Sequence, residues 1–240
     1  MQNKYPQKPG LDFILKQAFF YWNKTLIFQL MFSIMYFGIL MTVFFFCDSK
    51  YGIMSQYIET AKYAKDGMQV YTAEIQKMLA TDSFQNFSLW IIGATIFLYP
   101  LNLGFYQIYR KIDLGEKPEL SDLFVGYNGL NFFKYIGYYI FWYFIFAYTI
   151  QTVILGVLWV CLTIFVAPMM FFMNKTIFEA ISLNFKALKM YFLEIFVCVI
   201  VAIFFKYIGF ALFLVGGLFT FPFWNAMIYS LYKTVFSEKN

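Results

Sequence analysis

The stretch Thr25 to Cys47, TLIFQLMFSIMYFGILMTVFFFC, runs for 23 residues without a charged side chain. A helix rises 1.5 Å per residue, so about 20 apolar residues cross a bilayer core of about 30 Å. The stretch meets that length and predicts a transmembrane helix. A basic tail precedes it, as in a signal peptide. The run is well beyond the roughly 7–15 apolar residues of a signal sequence, however, and no small-residue cleavage site closes it. It therefore reads as an uncleaved anchor. In hydrocarbon every backbone polar group must be paired, which leaves helices and closed barrels. Barrel strands alternate over about ten residues, and the continuous apolar runs here do not, so an α-helical bundle follows.

More such runs fill the chain. Phe87–Tyr109 is again 23 residues without charge, and Tyr135–Asn174 is charge-free over 40. A single helix of that second length would reach about 60 Å, twice the bilayer core. Two helices turning near Thr152 to Gly156 fit instead. A fifth span covers Met190 to about Ile208, with Glu194 one turn inside one end and Lys206 near the other, both placed to snorkel to the headgroups. The sixth runs from about Phe210 to Tyr232. The composition agrees: 62% of the 240 residues are hydrophobic and 13% charged, against about 45–50% and about 25% in soluble domains.

Six spans place both termini on one side. Thirteen of the 18 basic residues fall on that side, at the ends of the apolar runs, and five on the other: Lys50, Lys62, Lys65, Lys77 and Lys206. The positive-inside rule then makes both termini cytoplasmic. This distribution also accounts for the net charge of +5 without a nucleic-acid partner. Cys47, Cys161 and Cys198 lie in or beside apolar runs and form no CxxC, so they read as buried small side chains. The chain has no histidine, the commonest metal ligand and general base. No metal, cofactor or catalytic residue is expected, and the chain does not read as an enzyme.

The spans repeat. Residues 1–10 form a polar tail. From Leu11 to Lys24 apolar and polar residues interleave in an amphipathic helix too polar to span, expected on the membrane surface with its aromatics among the headgroups. Similar pieces end at Lys134 and cover Thr176–Lys189. Each opens near an acidic residue (Asp12, Asp122, Glu179), closes on a lysine and leads into an up-going span. Each down-going span then holds one proline: Pro100, Pro168 or Pro222. Three units follow, about 11–110, 120–175 and 176–233, each an interfacial helix and a helical hairpin. The first carries an insert, 48–86, in which Gly67 separates two helical pieces. A proline inside a span frees a carbonyl and bends the helix, so three equivalent bends predict a bundle that flares toward one leaflet. Asn102 and Asn225 lie two and three residues past their prolines, placed to hydrogen-bond across helices or to touch a ligand.

Three runs carry a family resemblance: YRKIDLGEKPELSDLF (109–124), FEAISLNFKALKMYF (178–192) and YIGFALFLVGGLFTFPFWNAMIYSLY (207–232). The basic residue before a short Gly-Glu-Lys-Pro loop and an Asp-Leu-Phe start, the Glu-Ala…Ser helix, and the late Pro…Tyr resemble the six-span superfamily. That group includes the membrane domain of glycerophosphodiester phosphodiesterases and the YciC-like bacterial inner-membrane proteins. The resemblance implies an architecture and a bacterial inner-membrane location. Catalysis in the phosphodiesterases belongs to a separate barrel domain with acidic metal ligands and histidines, of which nothing is present here.

The expectation is therefore an all-α polytopic membrane protein, six transmembrane helices in three hairpins, each preceded by a cytoplasmic interfacial amphipathic helix. Its expected function is that of a non-catalytic accessory or scaffolding subunit. Its partners would be membrane lipids and other membrane proteins, the latter through the 48–86 insert. The alternative is a carrier or organiser of lipid-like molecules, with Asn102, Asn225 and Glu194 as intramembrane polar groups for packing or ligand contact.

Overall fold

The computed structural model describes residues 10–236, so all of the polar tail but Gly10 lies outside the described residues. Regular structure among these residues is helical throughout: α1 (Leu11–Lys24), α2 (Leu26–Tyr51), α3 (Ile53–Lys62), α4 (Met68–Leu79), α5 (Asp82–Leu98), α6 (Leu101–Asp113), α7 (Asn131–Thr149), α8 (Val153–Thr163), α9 (Val166–Phe172), α10 (Ile177–Leu212), α11 (Leu214–Thr220) and α12 (Phe223–Phe236), with short 3-10 segments at Tyr63–Asp66 and Leu120–Tyr127. Among the described residues four stretches are long and apolar enough to cross a membrane: Leu26–Tyr51, Asp82–Asp113, Val153–Phe172 and Ile177–Leu212. The other two expected spans differ for identifiable reasons. α7 has the length, 19 residues, but is rich in tyrosine. The last span is cut in two at Pro222.

The chain divides into two compact units, one of Met35–Leu98 and one of Met1–Ile34 with Tyr99–Asn240. In the smaller unit the insert is tighter than 48–86, because α2 continues to Tyr51 and α5 already begins at Asp82. The reversal after α2 uses Gly52 in a left-handed conformation, φ 61°, open to glycine without Cβ strain. Asp48 fixes the turn. Its carbonyl accepts the Gly52 N–H at 2.7 Å and its carboxylate accepts the Met54 N–H at 2.7 Å, capping α3. Gly67, φ 110°, then separates α3 and its 3-10 extension from α4, so both helical pieces of the insert are present. Thr60 of α3 packs on Met78 of α4, and Phe44 of α2 meets Phe87 of α5 edge-on.

In the larger unit α6 is the central element. Leu101, Leu103, Phe105, Ile108 and Tyr109 are all buried. α1 has the expected bounds, but its aromatics do not all face the headgroups. Ile14, Ala18 and Tyr21 form a buried stripe at helical spacing, and Phe19 packs on Phe205 and Phe223. Phe13 and Phe20 stay exposed. An apolar stripe at helical period needs an apolar medium, and a neighbouring helix supplies one as well as lipid does.

The second surface segment is not an α-helix ending at Lys134. Leu120–Tyr127 is 3-10, a turn follows with Gly129 at φ 60°, and Lys134 already belongs to α7. Two glycines explain the tight geometry. A Cβ on Gly104 of α6 would strike the Leu123 backbone, and one on Gly126 would strike the Pro100 carbonyl. The third surface segment is continuous with its span in α10, and only a kink at Tyr191 (φ −129°, ψ 32°) marks the boundary. A Thr176–Glu179 capping box opens α10, and a Glu119–Asp122 box opens the 3-10 segment. Each box satisfies two otherwise orphaned N–H groups.

Candidate functional site

A cluster of charged and phenolic side chains in the larger unit forms where α1, α6 and α12 meet. Asp113 is the last residue of α6, and an anion at a helix C-terminus faces the negative end of the helix dipole. It is compensated from two other helices. Tyr21 donates to Oδ1 at 2.5 Å, Tyr229 donates to Oδ2 at 2.6 Å, and the Lys233 ammonium lies 2.8 Å from Oδ1. Lys233 Nζ also donates to the Tyr21 hydroxyl at 3.1 Å. Tyr109 and Asp113 share a face of α6, as do Tyr229 and Lys233 of α12, both pairs at the i, i+4 spacing that brings helical side chains together. The rings of Tyr21, Tyr109 and Tyr229 stand 5.1–5.4 Å apart, centroid to centroid. Burial, with the Asp113 carboxylate beside it, pushes the Tyr21 hydroxyl well above the usual phenol range. It therefore acts as a neutral donor, and the cluster is a closed lock.

A polar ladder continues the lock up α2. Thr25, Gln29 and Ser33 are fully buried at i, i+4, i+8. Thr25 Oγ1 donates to the Tyr21 carbonyl at 2.8 Å, and Gln29 Nε2 donates to Thr25 Oγ1 at 2.9 Å and to the Tyr109 hydroxyl at 3.2 Å. Ser33 donates to the Leu218 carbonyl at 2.6 Å. Leu218 precedes Pro222 by four residues, so its carbonyl is the one the proline leaves without a partner. Phe219, next along, accepts from Trp22 Nε1 at 2.8 Å.

Each proline of an expected bend, Pro100, Pro168 and Pro222, lies at or beside a helix break. Pro100 lies between α5 and α6 and Pro222 between α11 and α12. Pro168 lies just beyond the break between α8 and α9. At that break Asn184 of α10 enters the helix ladder. Its Oδ1 accepts the Phe165 N–H at 2.8 Å and its Nδ2 donates to the Cys161 carbonyl at 3.0 Å, replacing the bond those two groups would make in a regular helix. Asn102 and Asn225 meet each other, Asn225 Nδ2 donating to Asn102 Oδ1 at 3.1 Å, and Asn102 Nδ2 also donates to the Tyr99 carbonyl at 3.0 Å. The groups freed at the second and third breaks are thus taken up by neighbouring helices. Glu194 stands apart from all of these, one turn from Cys198 on α10.

Among the described residues no group of three or more His, Cys, Asp or Glu side chains converges as a metal site would require. The three cysteines are free and buried. Neither the Asp113 lock nor the Thr25–Gln29–Ser33 ladder nor Asn184 is singled out by residue type. The sequence signals for them are the i, i+4 spacing of Tyr109 with Asp113 and of Tyr229 with Lys233, and the i, i+4, i+8 spacing of Thr25, Gln29 and Ser33. No family model, curated protein or solved structure matches the chain.

Proposed function

We propose that the chain crosses the bacterial inner membrane six times as three hairpins, with both termini cytoplasmic. In this reading it serves as a non-catalytic accessory or scaffolding subunit that holds a membrane-protein partner through α3 and α4. The six-span superfamily it resembles has this architecture. The observation that carries the functional reading is the outer face of α3. Met54, Tyr57 and Ile58 are 46%, 51% and 55% exposed and fall at i, i+3, i+4. The adjoining face, Ile53 and Thr60, is already buried within the unit, so Met54, Tyr57 and Ile58 extend the apolar surface of α3 beyond what its own packing buries. The Asp113 cluster of the larger unit, by contrast, is satisfied by its own side chains.

The test is gentle detergent extraction and affinity recovery of the native chain and of Met54→Ser/Tyr57→Ser/Ile58→Ser. A stoichiometric protein partner with the native chain, lost with the triple variant, supports the proposal. Recovery of the same partner by both chains overturns the role of α3. Copurified lipid without any protein favours the carrier or organiser of lipid-like molecules.

A further inference from the structure

We infer that the surface faces of α1 and of the first three turns of α10 form a binding surface for anionic phospholipid headgroups. Both helices carry the same device. Phe20 and Lys24 of α1, and Phe185 and Lys189 of α10, are spaced i, i+4, and each ammonium lies over its phenyl ring, at 5.8 Å and 4.5 Å from the centroid. Both rings are exposed, 49% and 46%. Lys186 lies beside the second pair on the same exposed face. None of Lys24, Lys186 and Lys189 is in an ion pair among the described residues. On the same two surface segments Asp12 pairs with Lys16, and Glu179 accepts the Thr176 N–H in the capping box. Lys134, the corresponding lysine of the middle segment, is also engaged, by Asn174 and the Met170 carbonyl.

The apolar context fixes the kind of anion. Around the kink at Tyr191, the exposed side of α10 becomes Met190, Phe192 and Leu193, and the next charge is the half-buried Glu194. One helix thus presents two lysines, one of them over a phenyl ring, and next to them three exposed apolar side chains. A phospholipid is built in the same order, phosphate and then acyl chain. Lysine stems cover apolar surface while their ammonium groups reach phosphate, and each basic residue near an anionic surface adds to its attraction. A free phosphate would use the lysines but not the apolar continuation.

The full chain in a neutral detergent micelle, unfolded thermally with added phosphatidylglycerol or phosphatidylcholine of identical acyl chains, tests this. The native chain should gain several degrees more from phosphatidylglycerol, and inorganic phosphate alone should give no gain. Lys24→Gln/Lys186→Gln/Lys189→Gln should respond equally to the two lipids, the three Lys→Arg changes should keep the preference, and Lys50→Gln/Lys62→Gln should leave it intact. Equal responses in the native chain, an equal gain from inorganic phosphate, or a preference that survives the triple Gln substitution would overturn the inference. Should the triple variant not fold, the native chain at high salt decides, because screening must abolish a headgroup preference of this origin.

Discussion

Asp113 accepts three charge-assisted or phenolic hydrogen bonds from two other helices, so its removal strands donors on both. Hydrogen bonds to a charged group contribute about 1.5–3 kcal/mol each when buried, less when water competes. The Asp113 side chain is 23% exposed and that of Lys233 34%, so Asp113→Ala should cost about 1–3 kcal/mol in detergent-based unfolding. Asp113→Ala/Lys233→Ala should cost less than the sum of the two single changes. Strict additivity would show that the pair does not couple. The lock also sets an alkaline limit. The Tyr21 hydroxyl titrates above its ordinary value because it is buried and bonded to Asp113, so its contribution is complete well below the unfolded phenol's pKa of about 10 and is lost progressively as pH rises through it toward the folded value. Stability should therefore hold to about pH 9 and then fall, and Tyr21→Phe should fall less steeply between pH 9 and 11. Parallel curves would remove Tyr21 from the lock. None of this was legible from residue types. Asp113 follows Arg110 and Lys111 and reads as the start of a polar loop, and only the extension of α6 to Asp113 turns it toward Tyr229.

Proline placement was the element-scale feature most legible in the sequence, and the breaks fall at or beside all three prolines. What the sequence did not disclose is which side chains repair them. Asn184 belongs to the surface part of α10, yet it completes the ladder between α8 and α9. Asn184→Leu should leave the Phe165 N–H and the Cys161 carbonyl unpaired in a buried setting, at about 1–3 kcal/mol for each group. Asn184→Asp, with one acceptor retained and the Cys161 bond lost, should lie between native and Leu in the same unfolding series, unless the charge itself expels the side chain. The surface segments show the limit of periodicity. α1 was legible to the residue because apolar and polar residues interleave up to Lys24 and the charge-free run begins at Thr25. The stretch before Lys134 was not, because its geometry comes from close backbone approach at Gly104 and Gly126 and not from a hydrophobic stripe. Gly104→Ala should cost about 1–3 kcal/mol by overpacking. Gly93→Ala in α5, where a Cβ meets nothing within 4 Å, should be neutral or slightly stabilising. Equal effects of the two substitutions would show that the α6 contact with residues 120–127 is not tight.

At the scale of the whole molecule, hydropathy made the helical class and the membrane setting legible, since four stretches meet the length and composition of a span. It did not by itself yield the two further crossings proposed. Tyrosine dilutes the apolarity of α7, and Pro222 divides the last span into seven and fourteen residues. The hairpin of α7 and α8 is nonetheless closed by its own side chains, with Trp142 Nε1 donating to Thr163 Oγ1 at 2.8 Å and Trp159 Nε1 to the Trp142 carbonyl at 3.3 Å. Lysine at the ends of the apolar runs remains the basis for orientation. Sidedness of labelling tests the first four of the six crossings most directly. With Cys47, Cys161 and Cys198 replaced by alanine, single cysteines at Thr72, Lys117 and Ser182 would be challenged with a membrane-impermeant maleimide in right-side-out vesicles. Six crossings predict reaction at Thr72→Cys in sealed vesicles, and at Lys117→Cys and Ser182→Cys only after permeabilisation. Labelling of Lys117→Cys or Ser182→Cys in sealed vesicles, or equal sidedness at all three positions, would contradict them.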